Sequence, residues 1–370
     1  MNRLKIRINA IPLVPFVIIA LISLFALIGF YSMGSGNFYP WCAKQFLRLI
    51  IGFSAMTIAA SIDTEFWRKH AYKFYLFCLS MLVGVAVIGK ISMGAQRWLD
   101  LYFFNVQPSE LMRMFLVIAL AKYFSNISED NVKKTKALII PIALVAVPMA
   151  LILLQPDLGT AILFFCLGVS VLFVCGVQIW KFIVALTVAA AFVPILWGKL
   201  YQYQQERILM FLNPEKDMNG AGYHVIQARI SLGSGGLWGR GLMNGTQSAL
   251  NFLPEKQTDF VFAAMGEELG FIGCLSLLLL YAMLFAYNLI ATVRMKNKFN
   301  KIMVFSFNAV LFFYVFINTA MVCGLMPVVG IPLPFFSYGG SSLVVLMFCQ
   351  GLIFAADFQQ RTSRKKPLLK

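Results

Sequence analysis

The sequence predicts an all-α polytopic membrane protein, a single integral membrane domain over residues 1–370, and three observations lead to this fold class. The chain is 60% hydrophobic and 15% aromatic, with only 12% charged residues, which is outside the usual composition of soluble domains. Apolar runs recur along it, each long enough to cross a hydrocarbon core about 30 Å thick. The basic residues concentrate in alternate connecting segments, as the positive-inside rule expects.

Ten apolar segments are predicted to span the membrane. The first is predicted to be a retained span, because it is too long for a signal peptide and no small-residue cleavage site follows it. In chain order the ten predicted spans are residues 11–33, 45–62, 71–89, 109–124, 137–154, 159–177, 181–199, 259–290, 302–325 and 341–357.

The distribution of Lys and Arg predicts the orientation. With the N-terminus inside, the inner segments hold most of the 31 basic residues. Many of the others lie in one long loop, about 200–257, where charge has little influence on topology. Both termini are therefore predicted to be cytoplasmic and the loop between the seventh and eighth spans extracytoplasmic. The net charge of +16 is then a topology signal that also favours anionic lipid headgroups. Nucleic acid is disfavoured as a partner, because the basic residues are dispersed.

Residue counts exclude several chemistries. The seven cysteines show no CxxC spacing and the two histidines stand alone, which disfavours a disulfide framework, a zinc site or a His-based triad. No GxxxxGK[ST] motif is present, so ATP hydrolysis through a P-loop is excluded. The Gly-rich stretch at 233–236 is more typical of a turn than of a phosphate-binding loop.

Five polar motifs fall on the outer side of the predicted topology, at similar depth. Carboxylates, guanidinium groups and helix ends broken by Gly and Pro converge there, so the sequence predicts a site at the outer interface. The Gly-Gly-Ser-Ser run at 339–342 has a structural alternative, a helix start with close helix–helix contact. The five motifs are GAQRWLDL (94–101), VQPSELMR (106–113), QPDLGT (155–160), LPEKQTD (253–259) and PVVGIPLPFFSYGGSS (327–342).

Asp259 is the leading functional candidate. It stands at the entrance of the eighth span, beside a loop that carries Lys256. Ionisable groups at such positions are costly and usually mark a site. Glu267 lies about two turns deeper, where either a functional role or an ion pair inside the bundle is open.

The other candidates also have structural alternatives. Glu110 and Arg113 are spaced i, i+3 and can form a simple ion pair at a helix start. Asp157 follows a proline and can be a helix cap. Arg97 precedes a tryptophan and can anchor the chain at headgroup depth. For each of these residues the other interpretation is a role in or beside the site.

In this order and spacing, the five motifs resemble those of the SEDS (shape, elongation, division and sporulation) family of bacterial membrane proteins. The resemblance covers essentially the whole chain. RWLDL, GTQSALNFLPE (245–255) and MPVVGIPLP (326–334) are similar to the elongation branch, with the division branch as the alternative. Arg113 stands where the family commonly has Lys, which keeps the positive charge. Gln257 stands where the family often has His, so any role of that His is dispensable.

The resemblance implies a peptidoglycan glycosyltransferase that polymerises lipid II on the outer face of the bacterial cytoplasmic membrane during cell elongation. Asp259 would be the general base, and Arg97, Arg113 and Lys256 would neutralise the leaving pyrophosphate, with or without a divalent cation such as Mg²⁺ or Mn²⁺. Substrate-binding roles would extend to three further carboxylates, Glu110, Asp157 and Glu267.

The resemblance also implies partners, namely a class B penicillin-binding protein, which is a single-span transpeptidase, and the elongation machinery. Two other functions stay open at this point, a lipid II flippase and a non-catalytic scaffold. A flippase needs polar residues along the full depth of a cavity, whereas the motifs concentrate on the outer side. The sequence also lacks a recognisable internal repeat, which disfavours a transporter.

Overall fold

Helices dominate the fold. We describe it from a computed structural model, which covers residues 10–88, 90–92, 95–100, 105–198, 205, 209, 221–249, 252–253 and 255–365. The helices are α1 (Leu13–Met33), α2 (Trp41–Ser61), α3 (Thr64–Ile88), α4 (Pro108–Ser125), α5 (Glu129–Val132), α6 (Ile139–Leu154), α7 (Leu158–Val174), α8 (Ile179–Trp197), α9 (Ala221–Ser234), α10 (Thr246–Ala249), α11 (Val261–Arg294), α12 (Lys298–Val322) and α13 (Ser341–Lys365), with a 3₁₀ turn at Thr135–Leu138.

Every predicted span overlaps one of these helices, with ends that differ by up to eight residues. Six stretches among the described residues have the length and hydropathy to cross a membrane, whereas α7 and part of α8 are shorter apolar helices. The six stretches are Leu13–Met33, Trp41–Ser61, Thr135–Leu154, Val261–Arg294, Lys298–Val322 and Ser341–Ser363.

A small antiparallel sheet lies between α3 and α4, where the sequence predicts only a connecting segment. Its strands, in the order β1-β2-β3, are β1 (Lys90–Ser92), β2 (Ala95–Asp100) and β3 (Asn105–Val106). The prediction of an all-α fold is therefore incomplete here. The strands are short, and the polar run GAQRWLDL does not alternate in the way that identifies a strand from sequence.

Close helix contacts depend on small residues. Helix α2 packs along α13. Gly52 of α2 faces Met347, and Gly351 of α13 lies against the backbone of Met56. The same pattern of small residues at helix interfaces is typical of membrane bundles. Helix α12 contacts α4, α7 and α11, which places it at the centre of the bundle.

Helix α11 is broken at Gly270, whose φ of 67° and ψ of −166° are not helical. The Gly-rich turn before it supplies the missing hydrogen bonds. The N–H groups of Arg240 and Gly241 donate to the carbonyls of Glu267 and Glu268, each over 3.0 Å. A break in a membrane helix requires such replacement partners. The Gly-rich stretch at 233–236 lies only partly in this turn, because its first two residues end α9 and its last two follow that helix.

Candidate active site

Asp259 lies in the turn that leads into α11. Its backbone carbonyl accepts a hydrogen bond from Asn318 Nδ2 over 3.0 Å, and the same amide group donates to Ile331 O over 2.7 Å. Gly330 has a φ of 70°, and a Cβ there would lie 3.5 Å from Asp259 Oδ2. Contacts to the backbone on both sides therefore fix the position of the half-buried carboxylate.

The loop 327–340 lies directly against the segment that carries Asp259. Ser337 Oγ donates to Thr258 O over 2.7 Å, and Tyr338 N–H donates to Gln257 O over 2.8 Å. At Gln257 this contact uses only the backbone carbonyl, which any residue provides. The structure therefore shows how a glutamine can replace a histidine here without loss of the contact.

Glu110 and Arg113 form an ion pair on α4, and both side chains are buried. The hydroxyl of Tyr314 lies 3.1 Å from each oxygen of Glu110, and the Arg113 guanidinium carbon lies 4.5 Å above the Tyr314 ring. Arg113 Nη1 has no hydrogen-bond acceptor among the described residues. The pair is thus deeply desolvated and retains the N–H donors of Nη1, which an isolated helix-start ion pair would not need.

Asp157 caps the N-terminus of α7, which is one of the two roles that the sequence predicts for it. Its Oδ1 accepts from Thr160 N over 3.1 Å and its Oδ2 accepts from Thr160 Oγ1 over 2.9 Å. Gln107 Nε2 approaches Oδ2 at 3.5 Å. At the same helix end, Gly159 lies against the carbonyl of Val329, where a side chain would collide. The cap therefore belongs to the same end of the bundle as the loop 327–340.

Helix α12 joins these groups. Tyr314 and Asn318 are spaced i, i+4 and so lie on one helix face, with Cβ atoms about 5–6 Å apart. The first contacts Glu110, and the second holds the backbone of Asp259. We define the carboxylate cluster as Glu110, Arg113, Asp157, Asp259, Tyr314 and Asn318.

The hydrogen-bond partners of the Glu267 side chain lie between residues 231 and 247, outside the carboxylate cluster. Its Oε1 accepts from Thr246 Oγ1 and from Gln247 N, each over 3.0 Å, and its Oε2 lies 3.3 Å from Ser231 Oγ. Arg240 Nη1 completes a wider ion pair at 3.8 Å. The side chain is fully buried. These contacts support the structural alternative, an ion pair inside the bundle.

Lys256 is half-buried at the edge of the bundle. Burial lowers the pKa of its ammonium group, and the negative charge of Glu268 opposes this shift. The neighbourhood of Lys256 is therefore partly desolvated and includes the carboxylate of Glu268.

Arg97 lies in β2, and its side chain is outside the described part of the structure. Tyr314 and Asn318 are members of the cluster that the sequence did not single out. Their only signal was polarity inside an apolar helix. Between residues 10 and 365, leaving aside the gaps given above, no three His, Cys, Asp or Glu side chains form a group suited to a metal ion.

The carboxylate cluster can perform acid–base and anion chemistry. A carboxylate fixed by its backbone at a helix entrance can accept a proton from a hydroxyl group. An arginine with a spare N–H, one helix away, can bind an anionic oxygen. These groups share one end of the bundle.

Comparison with known proteins identifies the family. The family model described as "Cell cycle protein" (FtsW, RodA and SpoVE) matches residues 5–362. The chain is 40% identical to the peptidoglycan glycosyltransferase MrdB of Escherichia coli K12, over 97% of this chain and 96% of MrdB. It is 36% identical to a probable peptidoglycan glycosyltransferase FtsW of Buchnera aphidicola, over 86% of this chain and 84% of that protein.

Solved structures give the same fold. A chain from a structure on the coordination of polymerization and crosslinking by a peptidoglycan synthase complex superposes with a TM-score of 0.81 at 29% identity, over 93% of this chain and 98% of that chain. The rod shape determining protein RodA of Thermus thermophilus gives a TM-score of 0.70 at 26% identity, over 95% of this chain and 97% of RodA. The chain therefore belongs to the SEDS family.

Proposed function

We propose that this protein is a peptidoglycan glycosyltransferase that polymerises lipid II into glycan strands during cell elongation. The observation that carries the proposal is the carboxylate cluster, in which a fixed aspartate and a capped helix end lie against one loop and a buried arginine is connected to them through α12. The 40% identity to MrdB over 97% of the chain supports the activity and the elongation branch.

The reaction requires a base at the acceptor and cations at the leaving group. Asp259 would accept the proton of the 4-hydroxyl of the acceptor's N-acetylglucosamine. That oxygen then attacks the anomeric carbon of the donor's N-acetylmuramic acid, and the bond to undecaprenyl pyrophosphate breaks. The half-buried position of Asp259 suits this role, because its carboxylate stays accessible to a substrate hydroxyl at the entrance of α11.

The leaving pyrophosphate needs positive charge. Arg113 offers its spare Nη1, and its partner Glu110 keeps the guanidinium in place. Lys256 lies closer to the edge of the bundle, and Arg97 belongs to the small sheet. Asp157 would act by orienting Gln107 at the end of α7. Glu267 is proposed to shape the loop rather than bind substrate.

We place the site on the outer face of the bacterial inner membrane, with ten spans and both termini cytoplasmic. Cysteine labelling with an impermeant reagent tests this topology. In a background without the seven native cysteines, Trp238→Cys, which is exposed in the loop, should react in intact cells. The control, Lys133→Cys on the opposite side, should react only after permeabilisation. The reverse pattern would move the site to the cytoplasm.

A class B penicillin-binding protein is the proposed partner, and lipid II the substrate. The decisive experiment incubates the purified full chain with fluorescent lipid II, with and without that transpeptidase, and resolves glycan chains by electrophoresis. Polymer in either reaction supports the enzyme. Translocation of lipid II across proteoliposomes without polymer would instead establish the flippase.

A further inference from the structure

Arg48 stands out among the cations of the bundle. It lies on α2, seven residues beyond the first residue of that helix, which is about 10 Å along its axis. Its guanidinium carbon lies 3.9 Å from the centre of the Tyr338 ring. Its Nη1 is buried and has no hydrogen-bond partner among the described residues. An arginine at such depth is normally paired, so a missing partner points to a ligand.

The first turn of α13 lies beside this guanidinium. A Cβ on Gly340 would lie 3.9 Å from Arg48 Nε. Val344 N–H is already bonded to Gly340 O, so the helix begins here, and its preceding N–H groups have no intrahelical partner. Gly340 is exposed, and Ser341 and Ser342 are partly exposed, which makes this turn accessible to a ligand.

A second polar side chain faces the same segment. Gln45 is fully buried one turn before Arg48, and its Nε2 donates to Ser337 O over 3.3 Å. Its Oε1 has no partner among the described residues. A buried amide oxygen without a donor is costly. Ser337 and Gly340 therefore lie against α2. At this contact Gln45 Oε1 and Arg48 Nη1 have no hydrogen-bond partner among the described residues.

We propose that Arg48 and the first turn of α13 bind the phosphate of a membrane amphiphile. A guanidinium held by ring stacking presents its remaining N–H groups in a planar fork that matches phosphate oxygens. The N-terminus of a long helix adds N–H donors and a partial positive charge.

The position favours a lipid over a free anion. Arg48 and Gly340 lie between two membrane helices, and large apolar side chains of α2, such as Phe46 and Leu47, are exposed on its surface. A lipid chain can lie along that surface while its phosphate reaches Arg48. Two lipids share this chemistry, a polyprenyl pyrophosphate and an anionic phospholipid, and binding of either requires no catalytic turnover.

Titration of the purified full chain with two short-chain probes, farnesyl pyrophosphate and dioctanoyl phosphatidylglycerol, tests the proposal. Affinity for at least one probe should fall about 10- to 100-fold in Arg48→Gln, the loss expected for hydrogen bonds to a charged group. Arg48→Lys should recover part of it. The matched control is Lys44→Gln, one turn earlier on the same helix and exposed, which should bind within about twofold of the parent.

The two probes distinguish the sources. Loss confined to farnesyl pyrophosphate assigns the site to a prenyl pyrophosphate, and loss confined to phosphatidylglycerol assigns it to a phospholipid headgroup. Equal affinity of the parent and Arg48→Gln for both probes, or no binding by the parent, overturns the proposal. These measurements need no polymerisation, so a failure of the proposed enzymatic function would leave their outcome unchanged.

Discussion

Two groups of polar side chains meet at helix α12 of this protein and are built differently. One is the carboxylate cluster. The other, which we call the amide cluster, consists of Asn288 on α11, Asn308 on α12 and Gln350 on α13. Asn288 Nδ2 donates to Asn308 Oδ1 over 3.2 Å, and Gln350 Nε2 donates to Asn288 Oδ1 over 3.0 Å. Asn308 Nδ2 reaches the carbonyl of Phe285.

The two clusters differ in whether all their buried hydrogen-bond donors and acceptors have partners. Each amide oxygen and nitrogen of the amide cluster has a partner within the bundle. In the carboxylate cluster, Arg113 Nη1 and Asn318 Oδ1 are buried without a hydrogen-bond partner in the described part of the chain. A closed set of hydrogen bonds holds helices together, whereas spare donors and acceptors beside a charged group suit a ligand. Polar residues inside membrane helices thus need not share one role.

The largest expected effect is at Asp259. Asp259→Asn keeps the shape and removes the base, so polymerisation of lipid II should fall by about 10²–10⁴. Its backbone contacts to Asn318 do not involve the carboxylate, so expression and thermal stability should be retained. Asp130→Asn, at a side chain that is 91% exposed, serves as the matched control. Polymerisation at the parental rate would move the base to Glu110 or Asp157.

The second largest effect is expected at the buried Glu110–Arg113 ion pair, where variants separate a contribution to stability from a contribution to catalysis. Arg113→Met leaves the Glu110 carboxylate buried and unpaired, which should lower the free energy of unfolding by about 3–5 kcal/mol. The double variant Glu110→Gln, Arg113→Met removes both charges and should recover most of that stability. Activity should stay low in the double variant, because the cation is still missing.

Thermal melts and polymerisation rates of the two single variants and the double variant measure this as a double-mutant cycle. Arg113→Lys should retain substantial activity, since a point charge still binds phosphate. Full activity in the double variant would show that the Glu110–Arg113 pair contributes only to stability. The carboxylate cluster would then resemble the amide cluster in holding helices together.

A smaller and opposite effect is expected in the amide cluster. Asn288→Leu removes the partners of Asn308 Oδ1 and of the Gln350 amide, and stability should fall by about 1–2 kcal/mol. The rate per folded molecule should stay within about twofold of the parent. Asn131→Leu, on an exposed helix, is the control for the substitution itself. A large loss of rate with unchanged melting would place the amide cluster on a substrate path, as a flippase requires.

The smallest effect compares two glycines with positive φ. Gly330→Ala and Gly176→Ala, at φ of 70° and 88°, should each cost about 1 kcal/mol of stability through backbone strain. Only Gly330 faces Asp259, since a Cβ at Gly176 would meet nothing within 4 Å. Polymerisation should therefore slow several-fold in Gly330→Ala alone. Equal rates in the two variants would mean that the space beside the carboxylate is not used.

The sequence by itself determined the membrane class, a helix at each predicted span and the family. Apolar runs long enough to cross a bilayer leave few alternatives to a helix, because every backbone polar group must be satisfied internally. The candidate residues were also visible, since Asp259, Glu110, Arg113 and Asp157 are charges placed beside apolar runs.

Only the tertiary structure decided which of these charges belong together. In the sequence Glu267 resembles Asp259, since both are charges beside an apolar run, yet the Glu267 carboxylate accepts hydrogen bonds from Thr246 and Gln247. Tyr314 and Arg48 became visible only through contacts with residues far along the chain. Such pairings depend on how helices pack, and packing is fixed by side chains from distant segments that no local pattern encodes.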